Sequence, residues 1–168
     1  EGGVRTASRV QAIVDAGIVV CGHIGLTPQS SGQLGGHKAQ GRTAETAELV
    51  IKDALAIEAA GAQLILLEAI PPELSAVITK KLKIPVYGIG AGLGTDGQLL
   101  IVSDLVGQFQ AFTPKFVKKY CDVAKVYTDA FKEYIKDVKD QAFPEDQHCY
   151  HIIKGEEERF EEMLKKFE

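Results

Sequence analysis

The stretch AQLILLEAIPPEL, residues 62–74, joins a continuous apolar run to the start of a helix. The run AQLILLEAI (62–70) has the length and composition of a strand that is buried on both faces of a sheet. Two prolines and a glutamate follow at 71–73, and because proline is favoured in the first turn of a helix, we expect a helix that continues to about Leu82. A buried strand that leads directly into a helix is typical of the α/β class.

The same alternation continues on both sides of this unit. Apolar runs at 17–26, 84–92 and 98–104 predict three further strands. Helices are expected at Val4–Ala16, from an N-cap at Thr43 to about Ala60, from Pro114 into the early 140s with a break near Cys121, and in the charged tail 154–168. Strands that alternate with helices predict a parallel sheet, with the four strands adjacent in chain order and the helices outside.

Composition excludes several classes of function. The chain has 168 residues, of which 45% are hydrophobic, and this is typical of a globular domain with its own core. A formal net charge of −4 argues against a nucleic-acid partner. No apolar run approaches the roughly 20 residues that span a bilayer, so no membrane partner is expected.

The cysteines and the first residues bear on the compartment. Three cysteines without a C-x-x-C pair suit a reducing compartment, and EGGVRTASRV (1–10) has no apolar stretch of the secretory kind. We expect a cytoplasmic protein, with the mitochondrial matrix as the alternative. Cys21, inside an apolar run, is expected to be a buried small hydrophobic residue.

Unusual polar residues follow the predicted strands, where parallel sheets place their ligand sites. The most informative is Glu68, because a carboxylate within LILLEAI is costly to bury unless it is paired or used. Glu68 is therefore a candidate catalytic base, and the alternative is a structural ion pair with Arg42 or a lysine. Asp104 ends the last predicted strand.

His23 and a long loop belong to the same expected edge. His23 stands near the end of the first predicted strand, although a lone strand histidine is more often a satisfied core residue than a catalyst. The segment 22–42 is rich in glycine, serine and glutamine and leaves the carboxyl end of that strand, so we expect it to be an active-site lid. The segment GIGAGLGTDG (88–97) does not fit a dinucleotide-binding turn, because a strand and not a helix follows it.

Several segments together resemble the ketopantoate hydroxymethyltransferase family. They are EGG at the start, CGHIGLTPQSSGQLGGHKAQGR, AIEAAGAQLILLEAIPPEL, IPVYGIGAGLGTDGQLLIVSDLVG, and the pieces PKFVKKY and FPEDQH. The resemblance covers nearly all of residues 1–151 and implies a (β/α)8 TIM barrel, of which this chain carries about the last four βα units. By the resemblance, residues 1–151 form the C-terminal half of the barrel and 152–168 a C-terminal helical extension.

The resemblance also implies an activity. The family, also called 3-methyl-2-oxobutanoate hydroxymethyltransferase, transfers a hydroxymethyl group from 5,10-methylenetetrahydrofolate to 3-methyl-2-oxobutanoate. The product is 2-dehydropantoate (ketopantoate), in pantothenate and coenzyme A biosynthesis. The implied cofactor is Mg²⁺, the implied partners are the 2-oxo acid and the folate, and self-association into a homodecamer is expected.

Three residues match functional positions of the family. The resemblance assigns Glu68 as the catalytic base, His23 to the substrate-binding site, and Glu1, within the family's K-x-E-G-G motif, to the metal. The family's two metal-binding aspartates and the lysine of that motif have no counterpart in this sequence. A complete barrel of this type needs roughly 250 residues, so we expect this chain alone to be inactive if it is truncated.

Two other functions remain open at this stage. One is a non-catalytic half-barrel that acts as a binding or assembly partner. The other is a Mg-dependent lyase of the phosphoenolpyruvate-mutase type, although the loop at 22–42 does not match the cysteine-bearing loop of that group.

Overall fold

The computed structural model describes residues 1–167, which form two compact units: the first is Glu1–Asp122, and the second begins at Val123. The first unit contains a four-stranded sheet. Its strands are β1 (Cys21–Gly25), β2 (Leu64–Glu68), β3 (Val86–Ile89) and β4 (Gly97–Gln98). All neighbours pair in parallel and in chain order, which confirms the predicted parallel sheet.

The first unit also contains four helices. They are α1 (Ala7–Asp15), α2 (Ala44–Ala59), α3 (Pro72–Lys81) and α4 (Val102–Leu105), and single 3-10 turns lie at Val4–Thr6 and Pro28–Ser30. Of these helices, α2 and α3 connect strands. The α2 helix begins where the sequence predicts, because the Thr43 hydroxyl accepts a hydrogen bond from the backbone N–H of Thr46 at 3.2 Å. The Thr46 hydroxyl in turn accepts from the Thr43 N–H at 2.9 Å, which completes a capping box.

The core lies against β2, one of the two inner strands of the sheet. Ile65 and Leu67 of β2 are fully buried, because β2 has a strand on each side and helices over its face. The other large apolar side chains that are less than 2% exposed come from β1, α2, α3 and β3: Ile24, Ile57, Ile78 and Val86. Burial of each such side chain contributes about 1.5–3 kcal/mol.

The first predicted strand is shorter and more exposed than expected. The sequence predicts a strand at 17–26 that is buried on both faces, whereas β1 covers five residues at the edge of the sheet and Cys21 is exposed. Within residues 1–167, one backbone hydrogen bond reaches β1 from the side opposite β2, from the Gly2 N–H to the His23 carbonyl at 3.0 Å. Burial of an apolar strand requires a neighbour on both sides, and this edge lacks one among the described residues.

The prediction of a strand over 98–104 is largely wrong. The ladder with β3 ends when the Leu99 N–H donates to the Gly88 carbonyl at 2.8 Å. The chain then turns into α4, whose first turn is closed by the Leu105 N–H on the Ile101 carbonyl at 2.9 Å. Asp104 therefore lies on a helical turn and not at a strand end.

The second unit is helical. It contains α5 (Val123–Lys139), a 3-10 turn at Asp146–His148, and α6 (Glu157–Leu164). The helix predicted from Pro114 begins nine residues later, at Val123, and the predicted tail helix is shorter than 154–168. Within residues 1–167, no helix combines the length and the apolar character needed to cross a membrane. The partial barrel and the domain boundary at 151/152 remain predictions.

Candidate active site

Two of the three predicted site residues meet at the carboxyl ends of β1 and β2. The parallel register sets Gly25 opposite Glu68, so the side chain of His23, two residues earlier, lies beside that of Glu68. His23 Nε2 is 3.0 Å from Glu68 Oε2, and the two side chains are 18% and 12% exposed. This distance is that of a hydrogen bond, in which Nε2–H donates to the carboxylate when the imidazole carries a proton on Nε2.

The third predicted residue, Glu1, lies on the other side of the same imidazole. Its Oε1 is 3.7 Å from His23 Nδ1, and its Oε2 accepts a hydrogen bond from the Gln29 N–H at 3.0 Å. The structure therefore brings Glu1, His23 and Glu68 together, with the histidine between two carboxylates. Gln29 belongs to the loop that follows β1, so Glu1 also contacts the predicted lid.

The two glycines after Glu1 explain how it reaches this position. Gly2 has a φ of +112°, which favours glycine, and its N–H donates to the His23 carbonyl at 3.0 Å. A side chain at Gly3 would collide with the carboxyl of Asp53. That carboxyl accepts a hydrogen bond from the Val4 N–H at 2.8 Å, so α2 fixes the segment that carries Glu1.

Glu68 is positioned by its backbone neighbours. The Leu26 N–H donates to the Glu68 carbonyl at 2.8 Å, and the Ala69 N–H donates to the Ile89 carbonyl at 2.9 Å. Ala69 has a φ of +49°, an unfavourable conformation for a residue with a side chain, and the Gln40 N–H donates to its carbonyl at 3.0 Å. Backbone strain of this kind is concentrated at functional sites.

The partner of Glu68 differs from the alternative that the sequence suggested. The structure pairs Glu68 with His23, whereas an ion pair would have used Arg42 or a lysine. No ion pair of Glu68 with a lysine or arginine occurs among residues 1–167. The sequence contained a signal for the true partner, because His23 and Glu68 both stand near the ends of predicted neighbouring strands.

A cavity of about 450 Å³ opens beside Glu68. Ala39 of the 22–42 loop, Ile89 at the end of β3, Asp104 of α4 and Phe116 also line it. The volume lies within the range of small-molecule sites. The long loop therefore lies at the carboxyl ends of the strands, where a lid was predicted, and its role as a lid remains a prediction. Phe116 lies far along the chain from Glu68 and outside any predicted strand.

The side chains at this site can supply part of a magnesium site. Among residues 1–167, no three His, Cys, Asp or Glu side chains are grouped so that they could hold a metal ion. Mg²⁺ takes six oxygen ligands and is commonly held by one or two carboxylates together with water and substrate. The Glu1 carboxylate fits one of these ligand positions, because it is partly exposed and makes no ion pair with a lysine or arginine among residues 1–167.

Comparison with known proteins bears on the family. The family model described as ketopantoate hydroxymethyltransferase matches residues 1–146. Proteins named 3-methyl-2-oxobutanoate hydroxymethyltransferase are similar over almost the whole chain. That of Alkaliphilus metalliredigens is 59% identical over 167 residues, which cover 99% of this chain and 58% of the relative. Those of Clostridium novyi and Enterococcus faecalis are 49% and 47% identical, and each match covers 90% of this chain and 55% of the relative.

The chain thus spans a little over half the length of the curated relatives that it matches. The matched region includes the segments that carry Glu1, His23 and Glu68. The chain belongs to the ketopantoate hydroxymethyltransferase family.

Proposed function

We propose that the complete protein containing this chain transfers a hydroxymethyl group from 5,10-methylenetetrahydrofolate to 3-methyl-2-oxobutanoate. The product would be 2-dehydropantoate, which serves pantothenate biosynthesis. Membership of the family supports the class of reaction. The single observation that carries the chemistry is Glu68, a mostly buried carboxylate that is hydrogen-bonded to His23 and lines a cavity of small-molecule size.

The first step is removal of the proton at C3 of 3-methyl-2-oxobutanoate. This proton lies next to the keto group, and the Glu68 carboxylate accepts it while the C–H electron pair forms the enolate. C3 of the enolate then forms a carbon–carbon bond to the one-carbon unit. In the balanced reaction that carbon leaves both folate nitrogens, water supplies the hydroxyl oxygen, and tetrahydrofolate is released. A positioned base of this kind contributes about 10²–10⁴-fold to rate.

His23 orients the base and lines the substrate site. Its Nε2 hydrogen bond of 3.0 Å holds one carboxylate oxygen of Glu68, which leaves the other oxygen available for the substrate proton. Nδ1 faces Glu1 on the opposite side of the ring. A histidine held between two carboxylates keeps a fixed ring orientation, so the direction in which Glu68 accepts the proton is also fixed.

Glu1 is the proposed magnesium ligand of this chain. When bound, Mg²⁺ polarises the 2-oxo group of the substrate and stabilises negative charge on its oxygen. The other ligands are proposed to come from residues outside this chain, so the 168-residue chain alone would be inactive. A homodecamer is proposed from the resemblance alone, and a cytoplasmic location is proposed from the pattern of cysteines.

An isotope experiment on the complete protein tests this function. The protein is incubated with 3-methyl-2-oxobutanoate and tetrahydrofolate carrying a ¹³C-labelled methylene group, and the products are separated by mass. We expect 2-dehydropantoate labelled in its hydroxymethyl carbon, loss of its formation with EDTA, and recovery with added Mg²⁺. Absence of labelled product in the presence of Mg²⁺ would contradict the proposed reaction, and cleavage of the 2-oxo acid would favour a lyase.

A further inference from the structure

Two adjoining cavities lie at the carboxyl ends of the strands in the first unit. The inner cavity, of about 450 Å³, is the one beside Glu68 and Asp104. The outer cavity, of about 500 Å³, is lined by Arg42, Gly90 and the prolines at the start of α3. The two share wall residues, among them Lys115 and Phe116. They therefore form two adjoining compartments, of which only the inner one is lined by the candidate base Glu68.

The inner cavity contains a carboxylate that the proposed chemistry does not use. Asp104 is partly buried, and its side chain makes no hydrogen bond or ion pair with any of residues 1–167. Neighbouring wall residues such as Ile89 and Phe112 are apolar. Removing a carboxylate from water without a partner is unfavourable, so Asp104 suits a ligand that brings hydrogen-bond donors into this cavity.

The 2-oxo acid is not that ligand. 3-Methyl-2-oxobutanoate carries a carboxylate and a keto oxygen, which only accept hydrogen bonds, and its negative charge would be repelled by Asp104. A carboxylate with two free oxygens matches two adjacent N–H donors in one plane. The aminopyrimidinone edge of a pterin ring, with its ring N–H and 2-amino group, has this arrangement.

The outer cavity carries charge of the opposite sign. Arg42 and Lys115 are both exposed, and neither side chain makes an ion pair with another described residue. Gly90 and Gly92 form part of the wall with backbone and without side chains, which lets the Phe116 ring and Pro72 pack directly against them. A ligand that fits both cavities therefore has a donor edge at one end and negative charge at the other.

We propose that the two cavities together bind the reduced folate co-substrate. Asp104 pairs with the aminopyrimidinone edge of the pterin, the ring of Phe116 provides an apolar surface for the bicycle, and Arg42 and Lys115 bind the carboxylates of the glutamate tail. The inference rests on the proposed function. It also explains why Glu68 shares the inner cavity with Asp104, because the one-carbon unit must approach the carbon from which Glu68 removes the proton.

The pterin contact is tested by tetrahydrofolate binding to the complete protein under anaerobic conditions, measured by calorimetry. Asp104→Asn keeps the shape of the side chain, and we expect it to raise the Kd about 10- to 100-fold. An analogue without the 2-amino group should bind the unmodified protein more weakly than tetrahydrofolate does. The Kd of this analogue for Asp104→Asn should be less than about threefold higher than its Kd for the unmodified protein. The matched control is Asp15→Asn, at an exposed carboxylate on α1 outside both cavities. A Kd for Asp104→Asn within about threefold of the unmodified protein would overturn the assignment.

The tail contact is tested with two ligands. Arg42→Gln and Lys115→Gln should each raise the Kd for tetrahydrofolate about fivefold. They should leave the Kd for tetrahydropteroate, which lacks the glutamate, unchanged. Lys119→Gln, at an exposed lysine outside both cavities, is the control. Equal effects on the two ligands, or no effect on either, would show that the tail lies elsewhere.

A third measurement separates this inference from the proposed function. Hydrogen exchange at C3 of the 2-oxo acid depends on Glu68 and needs no folate, so it is measured on the unmodified protein. The fold of Asp104→Asn is checked separately by circular dichroism. Exchange in the unmodified protein, together with unaltered folate binding in a folded Asp104→Asn variant, would refute the cavity assignment alone. No exchange and no folate binding in the unmodified protein would refute both proposals.

Discussion

Replacement of His23 by alanine should lower the free energy of unfolding, because it removes one partly buried hydrogen bond to a charged group. Hydrogen bonds to charged groups contribute about 1.5–3 kcal/mol. The His23 and Glu68 side chains are 18% and 12% exposed, and their 3.0 Å contact borders an open cavity, so water replaces part of the interaction. We therefore expect a coupling free energy of about 1–2 kcal/mol between the two side chains.

A double-mutant cycle measures this quantity. Urea unfolding of the complete protein is followed for His23→Ala, Glu68→Ala and the double variant, and the coupling is the departure from additivity. The control is a parallel cycle on Glu48 and Lys52, an exposed ion pair on α2 with an N–O distance of 2.7 Å. That pair should couple by only about 0.3–0.5 kcal/mol, because both side chains are largely in water.

The same variants test whether His23 positions Glu68 for chemistry. His23→Gln keeps a donor on a longer, flexible side chain, so we expect a slower proton removal with little change in substrate KM. A coupling energy between His23 and Glu68 below about 0.3 kcal/mol would refute the reasoning, because it is indistinguishable from additivity.

Three further predictions concern the scaffold of the site. Thr43→Ala should lower the free energy of unfolding by about 1 kcal/mol because it removes the N-cap of α2, whereas Thr43→Ser should be nearly neutral in the same urea titration. Gly90→Ala should lower the free energy of unfolding by at least about 1–2 kcal/mol, because φ is +67° and the new Cβ would lie 2.5 Å from the Phe116 ring. The control is Gly32→Ala, whose new Cβ would lie in open space, and equal stability of the two variants would contradict the prediction. Cys21 is exposed as a residue, but partial desolvation raises the pKa of its thiol. Alkylation near pH 8 should therefore be slower than for an unstructured peptide thiol, and the difference should shrink as the pH rises; a rate above that of the peptide at pH 8 would contradict this prediction.

The sequence was sufficient for the features that depend on local chemistry. The apolar run at 62–70 and the prolines after it predicted β2 and the start of α3, and the side chain of Thr43 predicted the start of α2. Parallel pairing follows from the alternation of strands and helices, so the meeting of strand ends at one edge was also predictable.

Features that depend on distant neighbours were not predictable. Cys21 lies in an apolar run but is exposed, because burial is decided by a neighbouring strand and not by composition. Glu68 is bound to His23, 45 positions away, since the register of β1 against β2 selects its partner. Asp104 lines the cavity beside Glu68, at the edge where the sequence predicted it, but it does so from a helical turn that replaces the predicted strand after β4.

The central claim is that Glu68 removes the proton at C3 of 3-methyl-2-oxobutanoate. The direct test is hydrogen–deuterium exchange at C3 in D₂O, followed by NMR with the complete protein, Mg²⁺ and no folate. Glu68→Gln keeps the shape of the side chain but removes the base, and Asp15→Asn on the surface serves as the control. We predict that Glu68→Gln lowers the exchange rate by about 10²-fold or more while Mg²⁺-dependent binding of the 2-oxo acid is retained. Exchange at an undiminished rate in Glu68→Gln would contradict the claim and would show that another group is the base.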